Sequence, residues 1–285
     1  MKKVLVTGAT GFIGNYVVEE LLKRNYIVVA TSSSLEKAET FPWFSRVQYI
    51  PFNFEAFNAK ESYYNFFNEP EAIIHLAWEG LPNYKSSFHN EINMPRHLAF
   101  LTNMIKNGLK DVTVTGTCFE YGMIEGCLHE DMQTAPHNPY AEAKDNLRKQ
   151  LQELKKANAF SLKWIRLFYM YGKGQNPNSL FSQLDRALAN GDKIFNMSGG
   201  EQVRDYLPVE KVAENIVKIA TQNDVAGIVN CCSGEPITIK EFVRNYLALK
   251  QKSIELNLGY YPYTDYEPMA FWGSTKKLKT IEEHE

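Results

Sequence analysis

Three glycines near the start of the chain, Gly8, Gly11 and Gly14, constrain its fold more than any other feature of the sequence. A short β-rich run at 4–7 precedes them, and a segment with helical spacing follows at 12–23. Glycines at this spacing let the backbone turn tightly, and the free N–H groups of a helix start attract the charge of a pyrophosphate. The pattern predicts a strand, a phosphate-binding loop and a helix, although a simple tight turn also uses glycine.

Further β-rich runs at 26–31, 47–52, 72–77, 112–115 and 162–168 alternate with helical segments such as 140–156. Runs that are apolar on both faces indicate a parallel sheet covered by helices on both sides. After about residue 170 the rhythm loosens, with helices expected at 180–189, 209–221 and 239–250. The last 25 or so residues, aromatic and interrupted by proline, are expected to form loops.

These patterns predict an α/β fold, a Rossmann-like doubly wound parallel sheet with a smaller mixed C-terminal substrate lobe. We expect residues 1–170 to form the dinucleotide-binding lobe and residues 171–285 the substrate lobe, with some later chain returning to the first lobe.

The composition excludes several classes of function. The 285 residues carry 31 Lys plus Arg against 33 Asp plus Glu, for a net charge of -2. This balance lacks the basic footprint of a nucleic-acid binder. No apolar run approaches the roughly 18 residues that cross a bilayer. The four cysteines show no metal-ligand spacing, so we expect reduced thiols, no metal site and a cytoplasmic protein.

The residues that end the second predicted strand bear on the choice of cofactor. A carboxylate at this place binds the adenosine ribose and disfavours a 2′-phosphate. Here the sequence is Thr31, Ser32, Ser33 and Ser34, without an acid. Small hydroxyl groups leave room for a phosphate and can donate to it, so NADP(H) is favoured and NAD(H) is possible. Alternatively, the serines only form a turn.

A tyrosine and a lysine provide candidate chemistry. Tyr140 and Lys144 are four residues apart on a predicted helix, so their side chains share one face. A nearby ammonium group favours a phenolate and is expected to lower the pKa of Tyr140 towards working pH. Such a tyrosine exchanges a proton with a carbonyl oxygen. Upstream, the hydroxyl of Thr117 follows a β run and is a candidate for holding that carbonyl.

In this order, the motifs resemble those of the extended short-chain dehydrogenase/reductase superfamily, in its NAD-dependent epimerase/dehydratase branch. The resemblance extends through most of the chain. His75-Leu76-Ala77 is similar to the signature of the fourth strand, and Asn93 matches an asparagine that supports the catalytic tyrosine. Asn53 stands where the family usually has an aspartate near the adenine. Arg204-Asp205 resembles a pair whose arginine contacts the diphosphate of a nucleotide sugar.

The resemblance implies three groups of site residues. The catalytic group is Thr117, Tyr140, Lys144 and Asn93. The cofactor group consists of Tyr140 and Lys144 again, with Gly8, Thr10, Gly11, Phe12, Ile13, Gly14, Thr31, Ser32, Ser33, Asn53, Phe54, Leu76, Ala77 and Trp78. The substrate group is Tyr169, Arg204, Glu79 and Ser179. The resemblance also implies a homodimer and a dTDP-, CDP- or GDP-linked sugar as substrate.

Departures from the family pattern separate the possible reactions. Sugar 4,6-dehydratases carry an Asp-Glu pair where this chain has Cys118 and Phe119, so elimination of water is disfavoured. Enzymes that epimerise and reduce use a cysteine and a histidine where Phe119 and Gly174 stand here, and are disfavoured as well. The 4-epimerases stay open, although they usually have an acid ending the second strand and an asparagine at the position of Tyr169.

Three hypotheses follow. The first is NADPH-dependent reduction of a nucleotide-linked 4-keto-6-deoxy sugar, dTDP-4-dehydro-6-deoxyglucose above all, as in nucleotide-sugar reductases of bacterial surface-polysaccharide (O-antigen) synthesis. The second is an NAD-dependent nucleotide-sugar 4-epimerase. The third is a nonenzymatic cofactor-sensing protein on the same fold, which the joint presence of Thr117, Tyr140 and Lys144 disfavours.

Overall fold

The computed structural model describes residues 1–282, which contain a seven-stranded, wholly parallel sheet. In chain order the strands are β1 (Lys3–Thr7), β2 (Ile27–Thr31), β3 (Gln48–Tyr49), β4 (Ala72–His75), β5 (Asp111–Thr117), β6 (Gly126–Leu128), β7 (Ser161–Leu167), β8 (Tyr169–Tyr171), β9 (Ile194–Asn196), β10 (Val203–Pro208), β11 (Gly227–Cys231), β12 (Pro236–Thr238), β13 (Glu255–Asn257) and β14 (Phe271–Gly273). The large sheet has the order β11-β7-β5-β4-β1-β2-β3. Thr7 lies opposite Thr31 and His75, so three carboxyl ends meet at one edge.

Helices cover both faces of this sheet. They are α1 (Phe12–Lys23), α2 (Leu35–Glu39), α3 (Tyr63–Phe66), α4 (Met94–Lys106), α5 (Pro139–Ala157), α6 (Leu180–Asn190), α7 (Val209–Thr221), α8 (Ile239–Leu249) and α9 (Lys276–Glu282). Successive side chains of a strand point to opposite faces. Val4 and Val6 therefore pack against α1, α7 and α9, whereas Leu5 packs against α3, α4 and α5. The predicted doubly wound α/β fold is confirmed.

A smaller mixed lobe follows β7. Its three-stranded sheet has the order β12-β10-β8, in which β10 is parallel to β8 and antiparallel to β12. A core formed mainly by α6 and α8 includes Phe181, Leu184, Val243 and Leu247. β11, from the later part of the chain, pairs with β7 in the large sheet. The division of the chain at residue 170 stays a prediction.

The sequence-based expectation of loops near the C-terminus was wrong in part. β14 pairs in parallel with β6, and α9 buries Leu278 and Ile281. These two residues are three apart and therefore share one helix face, which packs beside α7 and β11. Their stabilising contacts lie far away in the sequence, so the local composition did not reveal them. No helix within residues 1–282 combines the length and apolarity that crossing a membrane requires.

Candidate active site

The glycine loop forms a tight cradle at the carboxyl end of β1. Gly8 has a φ of +69°, and a Cβ there would lie 2.9 Å from the backbone nitrogen of Ala77. A Cβ at Gly14 would overlap the carbonyl oxygen of Gly8. Gly11 caps α1 without a side chain, which leaves the first N–H groups of the helix open towards a ligand. The loop, which also contains Thr10, fits the pyrophosphate of a dinucleotide.

The hydroxyl groups that end β2 are largely engaged. The Ser32 hydroxyl lies 2.8 Å from the Tyr49 hydroxyl, and Tyr49 in turn donates to the carbonyl oxygens of Ser32 and Ser34. Ser34 caps α2 by accepting from the N–H of Lys37. Thr31 is buried, and its hydroxyl has no partner among the described residues. Exposed Ser33 therefore has the most accessible hydroxyl of the group.

The carboxyl end of β4 lies beside the glycine loop. The Thr7 hydroxyl accepts from the N–H of Ala77, and the Thr7 carbonyl accepts from the N–H of Leu76. Trp78 follows directly. Asn53 lies further along the edge and caps the 3₁₀ turn Phe54–Ala56. The structure brings these predicted cofactor residues to one edge of the sheet, and their contacts with a cofactor stay predictions.

Thr117 and Tyr140 line a single cavity of about 310 Å³, which we call the inner cavity. Thr117 ends β5, and Tyr140 lies in the first turn of α5, whose start is fixed by the Asn138 cap. Phe12 and Ile13 of the glycine loop line the same cavity. The two hydroxyl-bearing side chains and the residues that follow the glycine loop therefore meet around one space.

The pKa of Tyr140 departs from expectation. We expected Lys144 to lower it, but it is raised above its ordinary value of 10. Burial is the largest cause, and neighbouring Tyr84 and Glu120 add to it, while the Thr117 hydroxyl acts in the opposite direction. The phenol of the cofactor-free protein therefore keeps its proton at neutral pH.

Lys144 lies on the same face of α5 and is only 2% exposed. Its ammonium group donates to the carbonyl oxygen of Thr115 at 2.9 Å and lies 4.0 Å from the ring centroid of Trp78. Burial lowers the pKa of Lys144 to about 7, against an opposing effect of the Glu120 carboxylate. A small change in its surroundings therefore changes its charge near neutral pH.

Glu120 fixes the turn that carries Thr117. Its buried carboxylate accepts from the Thr117 N–H at 2.9 Å, from the Trp164 indole at 2.9 Å and from the Arg166 guanidinium at 2.8 Å. Arg148 lies 3.8 Å away. Because every neighbour donates, the site is built for an anion. No pattern in the sequence pointed to this role of Glu120.

Tyr169 and Arg204 meet a carboxylate from the C-terminal segment. Glu267 accepts from the Tyr169 hydroxyl at 2.5 Å and from the Arg204 guanidinium at 2.8 Å. Arg204 is fully buried, and Phe271 lies 4.6 Å beneath it. Its predicted contact with a diphosphate stays a prediction, since the guanidinium is engaged with Glu267.

A second space of about 570 Å³, the outer cavity, adjoins the inner one, and the two share Tyr84 and Tyr169 as walls. Glu267 and Ser179 line the outer cavity, and Ser179 also caps α6. The predicted Glu79 stands apart from both cavities and pairs with Arg96. Together the two cavities form an extended cleft.

Asn93 is buried at the turn before α4. Its side-chain N–H donates to the carbonyl oxygen of Glu79 at 2.8 Å, while its side-chain oxygen has no partner in the described part of the chain. Its predicted support of the tyrosine stays a prediction. Tyr84 has a clearer place, because its ring lies 5.5 Å from that of Tyr140 and it lines both cavities, as Pro82 does two residues before it. No pattern in the sequence marked Tyr84 individually.

Comparison with known proteins identifies a family. The NAD dependent epimerase/dehydratase family matches residues 4–232. The dTDP-6-deoxy-L-talose 4-dehydrogenase (NAD(+)) of Aggregatibacter actinomycetemcomitans is 29% identical, over 95% of this chain and 99% of that protein. The UDP-glucose 4-epimerase of Bacillus subtilis is 27% identical, over 88% of this chain and 83% of that one.

A solved structure has the same fold. UDP-glucuronic acid 4-epimerase from Bacillus cereus, in complex with UDP-glucuronic acid and NAD, superposes with a TM-score of 0.82 at 21% identity. The superposition covers 99% of this chain and 93% of that one. The family match covers well over half of the chain, so this protein belongs to the NAD dependent epimerase/dehydratase family.

Proposed function

We propose that the protein reduces the 4-keto group of a nucleotide-linked 4-keto-6-deoxy sugar, with dTDP-4-dehydro-6-deoxyglucose as the first candidate. The observation that carries this proposal is the inner cavity, where Thr117 and Tyr140 meet the glycine loop. A carbonyl bound there has a hydroxyl group to orient it and a phenol to protonate it.

The cofactor in this proposal is a nicotinamide dinucleotide, which supplies a hydride when bound. The glycine loop and the open N-terminus of α1 would hold its pyrophosphate, and Lys144 would bind its nicotinamide ribose. Thr31 to Ser34 contain no carboxylate, which supports NADP(H). The relative of 29% identity is named for NAD(+), which supports NAD(H). An assay of the proposed reduction therefore needs both NADPH and NADH.

Tyr140 and Thr117 have separate tasks in the reduction. The Thr117 hydroxyl donates to the ketone oxygen and orients the carbonyl carbon towards the hydride. The phenol of Tyr140 then gives its proton to that oxygen as the alcohol forms. Burial raises the pKa of Tyr140, so the phenol carries this proton before the substrate arrives. Lys144 lies one turn further along α5, and its ammonium group donates to the carbonyl oxygen of Thr115.

The lining of the inner cavity argues against elimination. Loss of water from a sugar needs a carboxylate or a comparable acid–base pair beside the substrate. The positions after Thr117 hold Cys118 and Phe119, and burial raises the pKa of Cys118 well above its ordinary value. Neither side chain performs that step, so dehydration is not proposed.

The identity of the sugar receives support from the comparisons. The curated relative is named as a 4-dehydrogenase of dTDP-6-deoxy-L-talose, which is the same type of reaction in the opposite direction, on a sugar of different configuration. The outer cavity has room for the nucleotide portion, with Ser179 and Tyr169 at its wall. Arg204 is the proposed cation for the diphosphate, which requires that it exchange its contact with Glu267. We also propose a homodimer and a role in bacterial surface-polysaccharide synthesis.

A 4-epimerase is the second candidate, because the UDP-glucose 4-epimerase of Bacillus subtilis is 27% identical to this chain. The two functions separate in one experiment. Purified protein is incubated with dTDP-4-keto-6-deoxyglucose and either NADPH or NADH, and the loss of dihydronicotinamide absorbance is followed. We expect stoichiometric oxidation, which the Tyr140→Phe variant lacks. Tightly bound NAD with interconversion of UDP-hexoses and no net oxidation would instead establish the epimerase.

A further inference from the structure

Trp78 is held in one orientation by its surroundings. Its indole N–H donates to Nδ1 of His89 at 3.1 Å, which makes Nε2 of His89 the protonated nitrogen that donates to the carbonyl oxygen of Asn83 at 2.9 Å. The imidazole ring of His97 stacks against the indole, with ring centroids 5.0 Å apart and ring planes inclined by 19°. The indole is therefore fixed at its edge by a hydrogen bond and on its face by a stacked ring.

The Lys144 ammonium group depends on this indole. It has three N–H donors, and Thr115 accepts from one of them. The face of Trp78, 4.0 Å away, supplies the electron density that a further acceptor would otherwise give. Since Lys144 is 2% exposed, bulk water does little to replace either partner.

The charges around Lys144 leave few other sources of stabilisation. Glu120, from the turn after β5, is the anion that raises the pKa of Lys144. His75 from β4, His97 from α4 and His89 have lowered pKa values, mainly through burial and partly through Lys144 itself, and so stay uncharged at neutral pH. Tyr140, on the same helix, is protonated. Trp78 and Glu120 thus share the task of keeping the ammonium charged.

We propose that Trp78 is a positioning residue that holds the charged Lys144 side chain against the Thr115 carbonyl, ready for the ribose hydroxyls of the cofactor. The inference rests on the cofactor site of the proposed function. This positioning role differs from a direct contact between Trp78 and the cofactor, which the resemblance to the family implies. A direct contact changes the affinity for cofactor equally at every pH, whereas an effect through Lys144 depends on its protonation.

The test measures the affinity for NADH and NADPH by calorimetry between about pH 5.5 and pH 9, for the wild type and for Trp78→Leu. A cation–π contact at a dry site corresponds to a shift of about 0.5 to 1.5 units in the pKa of Lys144. We therefore expect nearly equal Kd values at the acid end and a Kd roughly 3 to 30 times weaker for Trp78→Leu at the alkaline end. Trp78→Phe, which keeps a weaker aromatic face, should lie between them.

Two controls isolate the effect. Trp272→Leu removes another partly buried indole, from β14, and should leave the pH dependence unchanged. In a Lys144→Met background, Trp78→Leu should add no pH-dependent term. A Kd ratio between wild type and Trp78→Leu that is constant over the whole pH range would overturn the proposal and leave packing or direct contact as the role of Trp78.

A second measurement decides the question without cofactor. The pKa of Lys144 is lowered in the folded state, so the unfolding free energy rises as the pH increases from about 7 towards its unfolded value of about 10.4. The difference between the unfolding free energies of wild type and Lys144→Met, measured by urea denaturation at each pH, isolates this rise. It should begin at a lower pH in the Trp78→Leu background, and an unchanged onset would contradict the proposal. Failure of the wild type to bind either dinucleotide would count against the proposed function, whereas this onset still tests Trp78.

Discussion

Replacing Glu120 with glutamine is the most informative perturbation of the site, because it removes one charge and almost no volume. The carboxylate of Glu120 and the guanidinium of Arg166 are both fully buried and lie 2.8 Å apart. The new amide group would face the Thr117 and Trp164 N–H groups and the guanidinium, so that one donor must meet another. Arg166 would keep its charge without its anion.

The expected loss of stability can be calculated from the structure. Removing one partner of a buried ion pair costs about 3–5 kcal/mol. At roughly 2 cal/mol/K per residue, unfolding 285 residues has an entropy of about 0.6 kcal/mol/K. We therefore expect Glu120→Gln to lower Tm by roughly 5–8 °C in a calorimetric scan. Its effect on Lys144 has a sign as well: without the Glu120 charge, the pKa of Lys144 falls further.

Two further variants test whether the loss of Tm comes from the unpaired charge of Arg166. Glu120→Gln combined with Arg166→Met leaves neither charge unpaired and should recover at least half of the lost Tm. Glu153→Gln, on the exposed part of α5, should melt within about 1 °C of wild type because surface ion pairs contribute little. The reasoning is refuted if Glu120→Gln melts within that same margin, or if the double variant is less stable than either single one.

Three other substitutions test the proton donor, the glycine loop and the buried carboxylate of Asp205. Tyr140→Phe should reduce turnover about 10²- to 10⁴-fold while the Kd for cofactor stays within about twofold, as kinetics and calorimetry would measure; equal turnover would exclude the phenol as proton donor. Gly14→Ala should weaken dinucleotide binding at least tenfold by calorimetry, because its methyl group overlaps the Gly8 carbonyl; unchanged affinity would show that the cradle is not the binding loop. Asp205→Asn should destabilise the fold by about 2–4 kcal/mol in urea, since the buried carboxylate accepts from Ser233, Gly234 and Gly273; a loss below about 0.5 kcal/mol would contradict that account.

The sequence predicted those features that depend on neighbours along the chain. Gly8 and Gly14 marked the turn into α1, and the spacing of Tyr140 and Lys144 placed both on one face of α5. The alternation of apolar strands with helices predicted the parallel sheet. Each strand or helix pattern extends over only a few residues, so it can be recognised from the local sequence. Thr117 became a candidate because it follows a short β-rich run upstream of Tyr140 and Lys144.

Features that depend on distant partners could not be predicted in this way. Glu267 meets Arg204 across 63 positions of the sequence, and no local pattern connects them. The raised pKa of Tyr140 follows from burial and from the neighbouring Tyr84, which lies far from it in the sequence. Likewise, the sequence predicts a Ser32 hydroxyl that is available for a phosphate, whereas in the folded chain this hydroxyl lies 2.8 Å from the Tyr49 hydroxyl. These cases share one cause: the decisive contact forms only when the chain has folded.

Transfer of deuterium tests the central claim most directly. Wild-type protein is incubated with dTDP-4-keto-6-deoxyglucose and dihydronicotinamide cofactor carrying deuterium at both hydrogen positions of C4, in the NADPH and NADH forms. The sugar product is analysed by mass spectrometry and NMR. A reductase built on Thr117 and Tyr140 places one deuterium at C4 of a dTDP-6-deoxyhexose, and Tyr140→Phe loses this product. No label in the sugar with either cofactor, for the dTDP-, CDP- and GDP-linked ketones alike, would contradict the proposed reduction.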